Sequence, residues 1–181
     1  MDQDQPVPGI AFRYADSVDE LDALEPLWNA LQEHHERITP DLGAHTPKRD
    51  TADAWRIRRS KYELWLGAPE TFVVIAESDG QAIGYALVTV GIGFASWDTG
   101  ERLAQLETLS VLPDHRSFGV GARLLDLAWE RLEQLGIDGM QITTTTTNVD
   151  AQRLYERQGF EQSFVVYYGK RDDPGVTAKE G

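Results

Sequence analysis

Three groups of residues in the second half of the chain have the types and spacing to do chemistry. The first is Arg116-Ser117-Phe118-Gly119-Val120-Gly121-Ala122, which follows a strand-like segment and opens a helical one. Two glycines at a helix mouth leave backbone N–H groups uncovered, and the helix dipole adds partial positive charge there. Such a mouth is suited to a phosphate or pyrophosphate, with Arg116 as a forked cationic neighbour. The same glycines also suit a plain strand-to-helix turn, so both readings stand on spacing alone. The ATP and GTP type of phosphate loop is excluded, because no Gly-Lys-Ser/Thr follows. A dinucleotide fingerprint fails as well, since its third glycine would fall at Leu124. The second group is the lone carboxylate Glu107, on the preceding strand-like segment. The third is Asn148 with Tyr155, an amide and a phenol on one short helical stretch.

The elements that must position these groups read clearly. From Leu103 to Leu112 the side chains alternate with a period of two, which predicts a strand, and Pro113 should end it. From Gly119 the period changes: Val120, Leu124, Leu127, Ala128, Leu132 and Leu135 form one apolar helix face, with Gly136 as the expected left-handed cap. Strict alternation places Gln105, Glu107, Leu109 and Val111 on one strand face.

Arg116 to Gly121 after a strand ending in Val-Leu-Pro resembles motif A of the GNAT family of N-acetyltransferases. Asn148-Val-Asp-Ala-Gln-Arg-Leu-Tyr155-Glu-Arg-Gln-Gly-Phe160 is similar to a second block of that family. The matched blocks run from about Leu103 to Phe160. The resemblance implies acetyl-CoA as co-substrate, with its pyrophosphate on Arg116, Ser117, Phe118, Gly119, Val120, Gly121 and Ala122. It also implies a pantetheine arm beside Leu109, Ser110 and Val111, in a wedge where the central strand splays from its neighbour, with Asn148 near the cofactor. A helix N-cap is the simpler role for Asn148, and the two are compatible. An amine attacking a thioester must lose a proton, and Glu107 is the candidate base, directly or through a water; a half-exposed strand glutamate is the alternative. A backbone N–H near Val111 could hold the oxyanion. Tyr155 matches the family's tyrosine that protonates the departing thiolate, with a core aromatic as the alternative. The acceptor should lie between the first two helices, near His34, His35, Trp55, Arg58, Arg59, Tyr62, Phe94 and Trp97. A small-molecule primary amine is the expected acceptor. A non-catalytic acetyl-CoA sensor and a protein lysine or N-terminal acetyltransferase are the other readings. Homodimers would be unsurprising for this family.

Composition bounds the rest. The chain has 181 residues, 41% apolar and 26% charged, as expected of one globular domain. It has no cysteine, which excludes disulfides, thiolate metal sites and a cysteine nucleophile, so direct transfer is favoured over a covalent acetyl-enzyme. The His34–His35 pair is a poor metal site, and no metal is expected. The net charge of −13 disfavours nucleic acid and anionic membranes. That charge is uneven: residues 1–41 carry ten acids against Arg13 and Arg37, whereas residues 42–66 carry six bases against three acids. No signal region or membrane-length apolar run is present, which predicts a cytoplasmic protein.

The chain divides into a flexible stretch 1–9, one domain over 10–171 and a flexible tail 172–181. Within the domain we read a strand Ile10–Ala15, a helix capped by Asp16 or Ser17 and running to about Arg37, and a helix Thr51–Leu66. A hairpin follows, with Thr71–Glu77 and Ala82–Val90 as its strands. After the long helix come a strand Met140–Thr147, a helix Asn148–Gln158 and a final strand Gln162–Lys170. The expected fold is α+β (α/β), a mixed, mostly antiparallel sheet flanked by helices on both faces, as the family resemblance also implies.

Overall fold

The structure is a computed structural model that describes residues 9–15, 17–40 and 46–168. Among them five strands form one sheet in chain order: β1 (Ala11–Ala15), β2 (Phe72–Ser78), β3 (Gln81–Ile92), β4 (Arg102–Val111) and β5 (Met140–Ile142). Neighbours are antiparallel except β4 and β5, which run parallel. The β2–β3 turn uses Asp79 and Gly80 at φ 50° and 75°, left-handed values that suit these two residue types. Helices cover both faces. Val120–Gln134 (α3) and Val149–Arg157 (α4) lie on one; Glu25–Ile38 (α1) and Thr51–Leu66 (α2) lie on the other.

Each face has its own core. Val74, Ala76, Ala86, Val88, Leu106, Leu124, Leu125 and Leu132 bury the α3 side. Leu21, Leu24, Leu27, Trp55, Tyr62, Val73, Ile75, Tyr85 and Leu87 bury the α1–α2 side. Because alternate residues of β2 and β3 serve the two cores, both strands read as continuous apolar runs and not as alternation.

The first helix differs from its expected course. Ser17 does cap it, accepting the Asp19 N–H at 3.1 Å, but Val18–Leu24 is a 3-10 turn and the α-helix starts at Glu25. Pro26 explains the break, since it lacks the N–H that would bond one turn back. Asp16 lies outside the described residues.

Two expected strands are corrected. β5 stops at Ile142, and Thr143–Thr147 forms no ladder; β-branched residues favour a strand only where a neighbour pairs with them. The final strand does not form over 162–168, where Phe164, Val165, Val166, Tyr167 and Tyr168 are exposed; 169–170 lie outside the described residues.

One irregularity in β4 matters most. Leu87 pairs with Thr108 and Val88 with Leu106, leaving Glu107 as an extra residue without a partner on β3. This is a β-bulge. It shifts the parity of the strand: Ala104 and Leu106 sit in the α3-side core, yet beyond the bulge Leu109 and Val111 pack there.

Candidate active site

The glycine loop folds as an open helix mouth. Ser117 and Gly119 both take left-handed backbone conformations, at φ 68° and 83°, and Gly119 is the N-cap of α3. The first bond into the helix is from the Arg123 N–H to the Gly119 carbonyl at 2.9 Å. The N–H groups of Val120, Gly121 and Ala122 precede that ladder. Neither they nor those of Ser117, Phe118 and Gly119 find an acceptor among the described residues. A Cβ placed on Gly119 would meet nothing within 4 Å, so the space before the mouth is clear. A diphosphate fits this donor set. Gly121 does a different job: its Cβ would stand 3.3 Å from Leu154 Cδ2, so its small size lets α4 approach α3. Val120 likewise turns its side chain into the core.

Beside the mouth, the sheet opens. β4 pairs with β5 only from Ala104 to Leu106, then continues to Val111 with no partner on that side among the described residues. The bulge decides which groups line the gap. Below it the Ala104 N–H donates to Gly139 on the β5 side at 2.9 Å; above it the Leu112 N–H donates to Ile83, on the β3 side, at 2.9 Å. Backbone direction alternates along a strand. Ser110 and Thr108 therefore face β3, and the N–H and C=O of Leu109 and Val111 face the gap. Ser110 is buried, and its hydroxyl donates to the Leu27 carbonyl at 2.9 Å, which ties α1 to β4.

Arg116 lies at the end of this gap with Nε donating to the Val111 carbonyl at 2.9 Å. Burial lowers its pKa, Arg37 adds to that effect and Asp150 opposes it. Asn148 is the N-cap of α4, its Oδ1 accepting the Ala151 N–H at 3.4 Å, and it is buried. Tyr155 packs edge-on to Phe160 and against the α3-side core. Its hydroxyl has no hydrogen-bond partner among the described residues, and burial pushes its pKa up to about 12.

Glu107 is on the other face. The expectation that it shares a face with Leu109 and Val111 is overturned by the bulge. Glu107 Oε1 accepts a hydrogen bond from the Thr89 hydroxyl at 3.0 Å. Thr89 lies between Val88 and Val90, which face the α3 side, so Glu107 projects toward α2. Next to it, Thr108 bonds the Tyr62 hydroxyl at 2.7 Å, and Tyr62 bonds Tyr85 at 2.9 Å. These two phenols are buried, and desolvation raises both pKa values. Arg58 acts on Tyr62 in one electrostatic direction and Glu107 in the other, so one phenol feels both charges. A hollow of about 450 Å³ has Trp65, Thr71, Thr89, Gln105 and Gln141 in its wall, and of these Thr89 is the hydrogen-bond partner of Glu107. A larger hollow, about 660 Å³, runs along the outer side of α3 and holds none of the residues expected to act.

Comparison with known proteins supplies the family. The family model for the acetyltransferase (GNAT) family matches residues 28–160. The chain belongs to the GNAT acetyltransferase family. An uncharacterized N-acetyltransferase of Bacillus subtilis, YhfO, is 33% identical over 147 residues, covering 80% of this chain and 87% of that protein. A mycothiol acetyltransferase of Cellulomonas flavigena is 29% identical over 136 residues, which is 74% of this chain but only 38% of that protein. Among solved structures, a GCN5-related N-acetyltransferase of Ralstonia eutropha superposes with TM-score 0.70 at 19% identity, over 90% of this chain and 99% of that one. An aminoglycoside acetyltransferase, AAC(6')-Iy, in complex with a bisubstrate analogue, superposes at 0.64 with 24% identity, over 90% and 98%.

In this acetyltransferase the expected acceptor residues separate. Arg58, Tyr62 and His35 come together between α1 and α2. Trp55 is a core residue, edge-on to Tyr62. Arg59 is drawn off by Asp22 and Glu63, Phe94 meets Phe164 edge-on, and Trp97 is exposed. The sequence reading left out Thr89, Thr108 and Tyr85 because their partners are remote in the chain. Trp28 and Trp65 join them in this part of the structure. For these two a signal existed: Trp28 and His35, like Arg58 and Trp65, stand seven residues apart on one helix face. Among the described residues no helix is long and apolar enough to cross a membrane, and no cluster of metal-ligating side chains forms.

Proposed function

We propose that the chain transfers the acetyl group of acetyl-CoA directly to a primary amine of a small molecule. The observation that carries this reading is the run of unpartnered N–H groups from Ser117 to Ala122, opening beside the unpaired edge of β4. Acetyl-CoA supplies a thioester-activated acetyl group; the rest falls to the protein. The six N–H groups and the free donors of Arg116 bind the pyrophosphate. The inward-facing N–H and C=O of Leu109 and the N–H of Val111 order the arm, and Val111 N–H is the donor for charge on the acetyl oxygen. Asn148 keeps α4 in place at the rim of the gap.

The gap between β4 and β5 passes through the sheet, and the candidate catalytic groups flank it from opposite faces. Glu107, steadied by Thr89, takes the proton of an amine arriving from the α1–α2 side, since an alkyl amine is largely protonated at neutral pH. Tyr155, kept protonated by its raised pKa, supplies a proton on the α3–α4 side to the departing sulfur. The small-molecule reading is supported by relatives named for such acceptors, an aminoglycoside and mycothiol among them.

Thiol release from acetyl-CoA with a panel of amines tests the proposal. Glu107→Gln should lower kcat by roughly 10²- to 10⁴-fold, and Tyr155→Phe should slow turnover, with coenzyme A affinity near normal in both. The proposal fails if no amine elicits thiol release and calorimetry detects no coenzyme A binding.

A further inference from the structure

The helices on the acceptor side carry an arrangement that the transfer reaction itself does not explain. The Arg58 guanidinium lies 4.1 Å from the centroid of the Trp28 ring, 5.6 Å from that of Tyr62 and 5.9 Å from that of Trp65. Among the described residues no carboxylate pairs with it, although its neighbours Arg56 and Arg59 are both so paired. On the facing helix, Trp28 Nε1 and Gln32 Nε2 are buried donors that meet no acceptor. Trp28, Gln32 and His35 share one face of α1. Burial lowers the pKa of His35, and its neighbours His34 and Arg58 push the same way. Asn29 Oδ1, an unsatisfied acceptor on the adjoining face of α1, opposes an anion, as does the Glu107 carboxylate beyond Tyr62.

A cation without a counter-ion, beside two buried donors without acceptors, is a site that lacks an anion. Three aromatic rings surround the guanidinium, and its N–H groups meet no acceptor among the described residues, which leaves them to a planar or tetrahedral oxyanion. Arg58 itself lies in residues 42–66, where six bases outnumber three acids in a strongly acidic chain.

We propose that the acceptor is an amine that also bears an anionic group, a carboxylate or a phospho group. Arg58, Trp28 Nε1 and Gln32 Nε2 receive the anion, and the amine is directed to Glu107. The proposal rests on the transferase reading for its amine end. Arg58 lies 5.6 Å from the centroid of the Tyr62 ring, and the Tyr62 hydroxyl bonds Thr108, the residue after Glu107, so a short zwitterion is matched by a positive group and a negative group on the protein. A polycationic acceptor would set a like charge against Arg58.

Three small amines separate the possibilities: β-alanine, 2-aminoethylphosphonate and ethylenediamine. Binding is read by the fluorescence of Trp28 and its neighbours, and turnover by thiol release from acetyl-CoA. The expected result is saturable binding of one or both anionic amines at least tenfold tighter than the diamine, with the better of the two naming the group. Arg58→Met should abolish that preference, Arg58→Lys should restore part of it, and Gln32→Leu should reduce it several-fold. Thermal unfolding of each variant checks that the fold survives. Equal binding of the diamine, or a preference unchanged in both Arg58→Met and Gln32→Leu, overturns the anion site. Anion-selective binding with no thiol release from any amine and no coenzyme A binding by calorimetry would leave the anion site standing and remove the transferase reading.

Discussion

Gly119 and Gly121 stand two residues apart in one loop, and the structure predicts opposite consequences of adding a methyl group to each. At Gly119 the backbone φ is 83°, so alanine there carries a left-handed strain of about 1–2 kcal/mol. For a chain of this length that lowers Tm by about 2–8 °C. Its Cβ enters the clear space before the helix mouth, where a bound diphosphate would sit. Displacing one charge-assisted hydrogen bond costs about 1.5–3 kcal/mol, or roughly 10- to 150-fold in Kd. At Gly121 the φ is not left-handed, and the Cβ points away from the mouth, toward Leu154 Cδ2 at 3.3 Å. A small shift of that methyl accommodates alanine, whose better helix propensity, about 1 kcal/mol, offsets the crowding. Calorimetry with coenzyme A, alongside thermal unfolding, should therefore find Gly119→Ala weak in binding and Gly121→Ala within a few-fold of the parent. If Gly119→Ala binds as the parent does, or Gly121→Ala loses affinity as heavily, the assignment of roles within the loop is wrong.

Two further outcomes concern the buried hydroxyl cluster and the tyrosines. Thr108→Val keeps the shape but removes a partner of the buried Tyr62 hydroxyl, which retains Tyr85; denaturant unfolding should show a loss of about 1–3 kcal/mol, and an unchanged midpoint would remove the cluster from the stability of the domain. The pKa values of Tyr62, Tyr85 and Tyr155 are all raised by burial above the model-compound value of 10.0. Above pH 10 the unfolded chain loses these protons first and binds fewer than the folded one. Their contribution is thus complete below pH 10 and falls as pH rises, by about 1.4 kcal/mol per pH unit for each tyrosine still protonated in the fold; stability measured from pH 9.5 to 11 should slope downward, and a flat profile would contradict their burial.

What the residues determined by themselves is local. The strand that Pro113 ends, the apolar face from Val120 to Leu132, the left-handed Gly119 and Gly136, and the Asn148 cap all follow from interactions within a few positions of the chain. The open helix mouth was legible for the same reason. What only the tertiary structure decided depends on partners far away. The bulge at Glu107 arises from the β3–β4 register, and a single extra residue moved the candidate base from the face of Leu109 and Val111 to the face of Thr89. The purpose of Gly121 came from a leucine on another helix. Likewise, Thr143–Thr147 and Gln162–Tyr168 have strand-forming side chains but no ladder among the described residues, because a strand is completed by its neighbour and not by its own composition. Arg58 became a candidate anion receptor only when α1 set Trp28 against it. Side-chain periodicity specifies an element and its two faces; which face meets which chemistry is set by pairing across the fold.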